Sequence, residues 1–406
     1  KNKIKSNIKI IGITGTNGKT SVTNYLANYF SNQGDVAGVI GTLGYGIVTD
    51  GDCQLKETGY TTPNIVEVHR CLAELRDAGA ASVFMEVSSH GLSQSRIDGV
   101  NFEGAVFTNL THEHLDYHGS MEEYAASKLK LFSREGLKFV VINEDDSYST
   151  DFINSVRPGV NVFTYGIQSK SDIAVLSYQL NAESASTITA EVSTPAGDFN
   201  IHSCLIGLFN LSNLLAVIGV AVAKQRLKNC EQRIQSIQSV NGRMQMLHVK
   251  NKPVVVIDFA HTPDALKNAI GAIRPHCKGK LIVIFGCGGN RDVEKRRTMA
   301  QIAEHLADVV VVTDDNPRDE APEVITNHIF EGFTNQSAIS LEHDREKAIK
   351  LGLSKANEND VVLIAGKGHE KYQEIKGEKV PFSDLDIAKK ALGVETLFEN
   401  SREVLV

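Results

Sequence analysis

The stretch T-G-T-N-G-K-T-S, from Thr14 to Ser21, has the composition of a phosphate-binding loop. It follows an apolar run and precedes Val22–Phe30, a segment with helical periodicity. Glycines let backbone N–H groups turn inward around phosphate oxygens, while the lysine reaches the outer phosphates and the next threonine can bind Mg²⁺. Ile13 replaces the first glycine of the strict pattern, and a glycine-rich turn with an exposed lysine is the alternative interpretation. We expect a nucleoside triphosphate here, held by Gly15, Thr16, Asn17, Gly18, Lys19 and Thr20.

A carboxylate and three histidines follow two later strands of the predicted sheet. Glu86 ends an apolar run, which would place it at the carboxyl edge of the sheet, where it could bind the Mg²⁺ of a nucleotide. His112, His114 and His118 follow the next run, on a predicted turn with no cysteine nearby, so their spacing supports zinc only weakly. One histidine as a Mg²⁺ or substrate ligand, with the others structural, is the simpler interpretation.

Four apolar runs in the second half of the chain end in polar clusters. The clusters are D-F-A-H-T, G-C-G-G-N-R-D, T-D-D-N-P-R and A-G-K-G-H-E, which begin at Asp258, Gly286, Thr313 and Ala365. The carboxyl ends of parallel strands meet at one edge of a sheet, so these clusters predict a small-ligand site there. A guanidinium binds a carboxylate with two hydrogen bonds, so Arg291 and Arg318 favour a ligand with carboxylates.

The elements that must position these residues follow an α/β pattern. Short Val- and Ile-rich runs, each followed by a turn and a helical pattern, predict parallel strands. They are Ile8–Ile13, Ala37–Ile40, Ser82–Val87, Ala105–Leu110 and Phe139–Asn143 in the first half, then Pro253–Phe259, Leu281–Phe285, Asp308–Thr313 and Val361–Ala365.

Between the two sets, Asp172–Ile201 alternates polar and apolar residues around a turn at Pro195–Asp198, which favours an antiparallel ribbon. An apolar helix is predicted over Ser212–Lys224, and Asn241-Gly242 is a turn signal. We therefore predict a central wound-sheet domain of the phosphate-loop type with an added ribbon over 1–241, and a Rossmann-like α/β domain over 242–406.

Composition excludes several classes of protein. The 406 residues include 42 Lys and Arg against 49 Asp and Glu, a formal charge of −7, which argues against a surface for nucleic acid or an anionic membrane. No apolar stretch is long enough to span a bilayer, so a cytoplasmic protein is expected. A monomer is expected as well. The six cysteines are scattered, without a C-x-x-C pair, which favours ordinary thiols in a reducing compartment.

Several motifs in one order carry a resemblance to a known family. They are G-T-N-G-K-T, Thr61-Thr62-Pro63, M-E-V-S-S-H-G-L, the stretch Asn109–Gly119 with Lys128 downstream, and the four clusters of the second half. Together they resemble the Mur ligase family, whose members add amino acids to a cell-wall precursor. Its members normally carry a uridine-binding domain before the phosphate loop. Because the loop begins at Thr14, the resemblance implies a chain that lacks that domain.

The resemblance implies roles for residues whose own pattern is ambiguous. Lys128 lies in the helical stretch Met121–Leu131 and, taken alone, is most simply a solvated surface lysine. The family has a carbamylated lysine at the matching position, so Lys128 is expected to bind a second Mg²⁺ as a carbamate. Thr20, Glu86 and His114 would serve the metals, and Lys19 the transferred phosphate.

The resemblance also implies three groups of binding residues. The nucleotide would contact Asn210, Asn213, Arg243 and Asp258 in addition to the phosphate loop. A UDP-muramoyl dipeptide would contact Thr61, Thr62, Ser88, Gln94 and Arg96. A diamino acid would contact Arg291, Asp315, Asn316, Pro317, Arg318, Gly366 and Glu370.

The reaction implied is an ATP- and Mg²⁺-dependent ligation of that diamino acid to the dipeptide through an acyl phosphate. The D-N-P-R form resembles members that use meso-diaminopimelate, in which Arg318 would hold the distal carboxylate and Glu370 the distal ammonium. L-Lysine as the added residue, a folylpolyglutamate synthase-like ligase and a phosphate-loop regulatory protein are the alternatives.

Overall fold

The computed structural model describes residues 8–32, 34–49, 52–53, 55–181 and 187–394. The chain divides into two compact units. The first comprises the described residues up to Gln179, together with Ile188–Cys204 and Leu208–Gln238. The second comprises the described residues among Leu180–Thr187, then Leu205–Gly207 and the described residues from Ser239 onward. Each unit has its own sheet.

Eleven strands form one sheet in the described part of the first unit. They are β1 (Lys9–Thr14), β2 (Ala37–Gly41), β3 (Gly44–Thr49), β4 (Asp52–Cys53), β5 (Ser82–Glu86), β6 (Phe102–Phe107), β7 (Phe139–Asn143), β8 (Asn161–Gly166), β9 (Ile173–Leu180), β10 (Ile188–Ser193) and β11 (Phe199–Ser203). Their order is β11-β10-β9-β8-β7-β6-β1-β5-β2-β3-β4. The consecutive pairs in the run β9-β8-β7-β6-β1-β5-β2 of this order are parallel. The pairs β2–β3, β3–β4 and β10–β11 are antiparallel.

Helices cover this sheet and fix where its loops begin. They are α1 (Lys19–Ser31), α2 (Ile65–Asp77), α3 (Ser89–Ser93), α4 (Leu115–His118), α5 (Met121–Leu129), α6 (Ser149–Asn154), α7 (Leu208–Ala223) and α8 (Cys230–Gln235). Side-chain caps set several starts: Asn64 accepts from the Glu67 N–H at α2, and Ser120 accepts from the Glu123 N–H at α5. The central strand β5 is buried throughout and β1 is buried beyond Lys9, as expected for a parallel sheet covered on both faces.

The second unit is built on a six-stranded sheet among its described residues, with a separate hairpin. The strands are β12 (Gln245–Leu247), β13 (Val254–Asp258), β14 (Leu281–Phe285), β15 (Val309–Val312), β16 (Ser340–Leu341), β17 (Val361–Ala365), β18 (Tyr372–Ile375) and β19 (Glu378–Pro381). The sheet order is β12-β13-β17-β14-β15-β16, parallel except for β12, and β18 pairs with β19 as the hairpin.

Alternate residues of these strands enter two separate cores. Val283 and Leu363 pack in one cluster, while Ile282 and Val362 pack in the other. The helices over the two faces are α9 (Pro263–Ile273), α10 (Glu294–Leu306), α11 (Pro322–Phe330), α12 (Arg345–Ser354) and α13 (Asp384–Leu392). Burial on both faces explains why these strands are continuous apolar runs in the sequence.

The predicted α/β class is confirmed, with differences in detail. The antiparallel pair β10–β11 and its turn lie where the ribbon was predicted, but β9 extends the main sheet by pairing in parallel with β8. The ribbon prediction also covers residues 182–186, which lie outside the described residues. The helix predicted from Ser212 begins at Leu208. Strands β3, β4, β8, β12 and β16 and the β18–β19 hairpin were not predicted from the sequence. None of the described helices combines the length and apolar character that crossing a bilayer requires.

Candidate active site

Glycine is required at two positions of the loop between β1 and α1. Gly15 has φ 152°, and a Cβ there would lie 1.9 Å from Thr108 Oγ1. Gly18 has φ 84°, and its Cβ would lie 2.6 Å from Asn213 Oδ1. The Thr16 N–H donates to the Asn109 carbonyl at 2.8 Å. The loop is thus held against the end of β6, with the N-terminus of α1 directly behind it.

The lysine and threonine of this loop meet different partners. Lys19 Nζ donates to the carbonyls of Gly15 at 2.9 Å and Thr16 at 2.8 Å. Thr20 Oγ1 donates to Glu86 Oε2 at 3.0 Å. A hydroxyl and a carboxylate oxygen side by side are the ligand chemistry that Mg²⁺ prefers. Thr20 and Glu86, which sequence analysis included among the magnesium ligands, are therefore neighbours and fit that ion.

Glu86 is buried at the end of β5 and is surrounded by donors. The Thr42 N–H donates to Glu86 Oε1 at 2.9 Å, and Thr42 Oγ1 donates to Oε2 at 3.0 Å. Burial raises the pKa of the Glu86 carboxyl, and the hydrogen bonds from Thr42 and Thr20 and the charge of Lys19 oppose that rise. Sequence analysis did not assign a role to Thr42, which only the turn after β2 brings to this carboxylate.

Lys128 is buried, so its interpretation as a solvated surface lysine is wrong. It is 1% exposed, its Nζ donates to the Gly15 carbonyl at 2.9 Å, and the amine lies 4.5 Å from the centre of the Tyr124 ring. Burial, with a smaller contribution from Lys19, holds the pKa of Lys128 well below its usual value. A neutral amine is nucleophilic, whereas an ammonium is not. This lysine shares an acceptor, the Gly15 carbonyl, with Lys19, and the direction of its pKa shift favours the neutral form that carbamylation requires.

The three histidines have different environments. His112 is exposed, His118 is buried, and its Nε2 has no hydrogen-bond partner within the described part of the chain. His114 has φ 58°, and its Nε2 lies 3.7 Å from Glu113 Oε2. Its ring is 5.0 Å from the ring of His90, which sequence analysis did not assign.

No group of three His, Cys, Asp or Glu side chains among the described residues could hold a metal ion. Among the described residues, His114 contacts the rings of His90 and Tyr124 and the carboxylate of Glu113, so the structure does not bring it to Glu86 or Thr20.

The five residues assigned to the muramoyl dipeptide lie together at the carboxyl edge of β5. Thr62 Oγ1 donates to the Glu86 carbonyl at 2.9 Å and accepts from the Ser88 N–H at 2.9 Å. Arg96 Nη1 donates to the Thr62 carbonyl at 2.7 Å, and its Nε and Nη2 donate to Gln94 Oε1 at 2.9 and 2.6 Å. Thr61 Oγ1 lies 3.0 Å from Thr42 Oγ1, which itself donates to Glu86.

Tyr117, to which sequence analysis gave no role, also contacts this group. Gln94 Nε2 donates to the Tyr117 hydroxyl at 3.1 Å, so the Gln94 amide has a fixed orientation between Tyr117 and Arg96. The Tyr117 ring also packs on His90, with centroids 4.1 Å apart. Tyr117 belongs to the motif that carries the histidines, and the turn into α4 places it here.

Asn210 and Asn213 lie in the first turns of α7, beside the phosphate loop. Asn213 Nδ2 and the Tyr25 hydroxyl both donate to Asn210 Oδ1, each at 3.1 Å. The Oδ1 of Asn213 faces Gly18, where it would lie 2.6 Å from an added Cβ. The structure therefore brings Asn213 next to the loop and Asn210 behind it.

Arg243 and Asp258 lie near each other in the second unit. Asp258 Oδ2 accepts from the Met244 N–H at 2.8 Å, and burial raises the pKa of this carboxyl. The Arg243 guanidinium stacks 4.8 Å from the centre of the Phe259 ring, and the His369 ring packs 5.3 Å away from Phe259. Phe259 and His369 were within quoted motifs but had no assigned role, and both supply ring surface.

Asn316 and Glu370 are joined by a buried lysine. Lys367 Nζ donates to Asn316 Oδ1 at 2.8 Å and to Glu370 Oε2 at 3.0 Å. Asn316 Nδ2 donates to the same Glu370 oxygen at 2.9 Å. Sequence analysis missed Lys367, whose fully buried side chain gives Glu370 an intramolecular partner at Nζ.

Arg318 is held in an unusual conformation at the end of the D-N-P-R loop. Its φ is 54°, in the left-handed region, and its Nη1 donates to the Gly289 carbonyl at 3.0 Å. The Gly289 N–H donates to the Asn316 carbonyl at 2.9 Å, and a Cβ on Gly289 would lie 1.9 Å from the Pro317 carbonyl oxygen. The two loops that carry Arg291 and Arg318 therefore pack with glycine at their contact, and Arg291 itself is exposed.

Asp315 and Gly366 meet at the neighbouring strand end. Gly366 has φ 122°, and a Cβ there would lie 2.5 Å from Asp315 Oδ2. That oxygen is buried and has no hydrogen-bond partner among the residues that the structure describes. A buried carboxylate oxygen without a donor is costly, which is typical of a group that awaits a ligand.

A fully buried arginine, Arg296, was missed by sequence analysis and holds the loops that follow β14 and β15. Arg296 on α10 donates from Nη1 and Nη2 to the two carboxylate oxygens of Glu320, each at 2.7 Å, and from Nη2 to the Gly288 carbonyl at 3.2 Å. Glu320 Oε2 also accepts from the Asn290 N–H at 3.0 Å. The Arg296 guanidinium lowers the pKa of Glu320 to about 2.

Comparison with known proteins gives matches over both units. A family model for the Mur ligase middle domain matches residues 13–221, and one for the Mur ligase glutamate ligase domain matches residues 242–368. A UDP-N-acetylmuramoyl-L-alanyl-D-glutamate–2,6-diaminopimelate ligase of Chromobacterium violaceum is 47% identical over 390 residues, which cover 95% of this chain and 77% of that protein.

Two solved structures extend the comparison. A structure of a ligase with the same name superposes with a TM-score of 0.73 at 35% identity, covering 96% of this chain and 79% of the other. A folylpolyglutamate synthase of Mycobacterium tuberculosis superposes with a TM-score of 0.69 at 19% identity, covering 89% of each chain, and shows likeness of fold alone.

Proposed function

The chain belongs to the Mur ligase family, and we propose that it joins meso-2,6-diaminopimelate to UDP-N-acetylmuramoyl-L-alanyl-D-glutamate with cleavage of ATP to ADP and phosphate. Relatives that are 42–47% identical over nearly the whole chain bear that activity in their names. The observation that carries the choice of amino acid is Arg318, a half-buried guanidinium held by Gly289 at the edge of the second sheet. A guanidinium fork suits the distal carboxylate that diaminopimelate has and lysine lacks.

The first chemical step is phosphoryl transfer from ATP to the free carboxylate of the dipeptide. The backbone N–H groups of the loop between β1 and α1 hold the phosphates, and Lys19 exchanges its loop carbonyls for phosphate oxygens. A dipeptide carboxylate oxygen attacks the γ-phosphorus, the bond from that phosphorus to the β-γ bridging oxygen breaks, and ADP leaves. The product is an acyl phosphate.

Magnesium fits the oxygen-rich group at Glu86 and Thr20 and, when bound, neutralises charge on the phosphates. Thr20 supplies its hydroxyl and Glu86 its carboxylate. We assign a second set of ligands to His114 and to Lys128 as a carbamate. In forming that carbamate, the neutral Nζ of Lys128 attacks CO₂, a C–N bond forms and one proton is released.

The second step is aminolysis of the acyl phosphate. The amine of diaminopimelate attacks the acyl carbon, and the bond from that carbon to the bridging oxygen breaks. Phosphate leaves with that oxygen, and the amine loses a proton. Thr61, Thr62, Ser88, Gln94 and Arg96 are proposed to hold the dipeptide during both steps. Arg291, Asp315, Asn316, Pro317, Arg318, Gly366 and Glu370 are proposed to hold the amino acid.

Nucleotide contacts outside the loop are proposed for Asn210, Asn213, Arg243 and Asp258. The proximity of Asn213 to Gly18 supports the assignment of Asn213, and the buried carboxylate of Asp258 supports that of Asp258. We also propose that residues 1–241 form the ATP-binding catalytic domain and residues 242–406 the amino-acid-binding domain, and that the reaction takes place in the cytoplasm.

A phosphate-release assay tests the proposal. The chain is mixed with ATP, Mg²⁺ and the UDP-muramoyl dipeptide, and candidate amino acids are added one at a time. We expect release with meso-diaminopimelate and little with L-lysine. Release with lysine alone, or with tetrahydrofolate and glutamate in place of the dipeptide and diaminopimelate, would assign the chain to one of the alternative ligases.

A further inference from the structure

Glu374 on β18 contacts the D-N-P-R loop with three of its groups. Its N–H donates to Asn316 Oδ1 at 2.9 Å, and its carbonyl accepts from the Arg318 N–H at 2.9 Å. Its carboxylate oxygen Oε2 accepts from Arg318 Nε at 3.0 Å. One residue of the hairpin therefore holds both the main chain and the side chain of Arg318.

These contacts leave a defined part of the Arg318 guanidinium open. Nε is used by Glu374, and one hydrogen of Nη1 is used by the Gly289 carbonyl. Nη2 has no hydrogen-bond partner within the described part of the chain, and the side chain is 23% exposed. Nη2 and the second hydrogen of Nη1 thus remain available to a carboxylate, which a guanidinium binds through charge-assisted hydrogen bonds.

The hairpin supplies what a flexible arginine would lack. A free arginine side chain samples many rotamers, and fixing it when a ligand binds costs affinity. Here the Lys376 N–H also donates to the Arg318 carbonyl at 2.8 Å, so the Arg318 backbone is held by the two residues that flank Ile375, Glu374 and Lys376. The fork is oriented before any ligand arrives.

We propose that Glu374 is a positioning residue that sets the preference for amino acids with a distal carboxylate over lysine, by orienting the Arg318 fork. The proposal rests on the proposed function of the second sheet edge. It treats Glu374 as a support for Arg318 rather than as a competitor for its guanidinium. The distinction is testable, because support needs an acceptor atom at Oε2 whereas competition needs a negative charge.

The experiment compares Glu374→Ala with Glu374→Gln in the full chain by phosphate release. Alanine removes the acceptor, so the KM for diaminopimelate should rise about 3- to 10-fold, while the kcat and the KM for ATP change less than about twofold. Lysine, measured as a slow substrate or a competitive inhibitor, should be unaffected. Glutamine retains an acceptor oxygen and should keep the KM for diaminopimelate within about threefold of the parent value. Glu378→Ala, an exposed change on β19 of the same hairpin, is the control.

Other outcomes overturn the proposal. A fall in the KM for diaminopimelate in both Glu374 variants would mean that the carboxylate competes with the ligand. Equal losses with diaminopimelate and lysine, accompanied by a lower melting temperature, would mean a structural role only. A parent chain that releases no phosphate with diaminopimelate would instead overturn the proposed function, and the inference with it.

Discussion

Replacement of Lys128 separates its chemical role from its contribution to stability. Lys128→Ala removes three methylenes and the amine from a site that is 1% exposed, so the lost burial costs ~2.4 kcal/mol at ~0.8 kcal/mol per methylene. The Gly15 carbonyl keeps its hydrogen bond from Lys19, so no buried acceptor is orphaned. Removal of a desolvated amine offsets part of the loss, and we expect a net cost of ~2 kcal/mol.

Lys128→Met is the matched control because it fills most of the same volume without an amine. Its free energy of unfolding should differ from that of the parent by less than ~1.5 kcal/mol. At ~2–4 °C per kcal/mol for a domain of this size class, the alanine variant should melt ~4–8 °C lower and the methionine variant within a few degrees. Neither variant can form a carbamate, so phosphate release should fall by at least ~10²-fold in both.

Short carboxylates then distinguish the two variants. Formate or acetate can enter the cavity left by alanine and supply the missing carboxylate, so partial recovery of diaminopimelate-dependent phosphate release is expected there. Methionine occupies the cavity, so no recovery is expected in that variant. Full activity of Lys128→Met in the absence of added carboxylate would refute the reasoning, and so would equal recovery of both variants.

Three further predictions concern other residues. Lys19→Ala should reduce phosphate release by at least ~10²-fold, because it removes the proposed contact to the transferred phosphate. The circular-dichroism spectrum should be unchanged, because Lys19 Nζ donates only to two carbonyls of the loop among the hydrogen bonds described above. Near-parent activity would contradict the phosphate role. Tyr117→Phe removes the acceptor of Gln94 Nε2 and should raise the KM for the muramoyl dipeptide ~3- to 10-fold without affecting the KM for diaminopimelate. Arg296 lowers the pKa of Glu320 to about 2, so this pair contributes ~2 kcal/mol to the free energy of unfolding. That contribution is present above pH ~4.5 and is lost as pH falls toward 2. Thermal melts should show that loss, and Glu320→Gln should be less stable near neutral pH and show a weaker acid dependence; an identical acid profile would argue against the pair.

The strands were predictable where both faces of the sheet are buried. Leu281–Phe285 and Val361–Ala365 are strands with the predicted bounds, because a continuous apolar run has few alternatives in a covered parallel sheet. The two-residue strand β16 and the exposed strand β19 were missed, since neither buries an apolar face that would show in the sequence. Pairing with a neighbour, which sequence periodicity does not report, determines them.

The candidate site was predictable where a motif has a mechanism and not where tertiary contacts decide. The phosphate loop and Glu86 were identified from spacing and strand position. The burial of Lys128 was not, because it depends on a tertiary contact with Gly15 in the loop after β1 as well as on Tyr124 of its own helix. Arg296 offered one signal: it precedes Met299, Ala300 and Ala303 at the i, i+3, i+4, i+7 spacing of a buried helix face.

The left-handed backbone of Arg318 restricts how an amino-acid preference can drift over evolutionary time. At a φ of 54°, glycine and asparagine are tolerated easily, while β-branched residues meet steric strain of roughly 1–2 kcal/mol or more. A lineage that abandoned diaminopimelate would therefore pass through a narrow set of replacements at this position, or would first have to remodel the turn. Substrate choice and turn geometry are coupled at this position. A change of amino-acid substrate is therefore expected to alter the backbone conformation of the turn as well as the side chain.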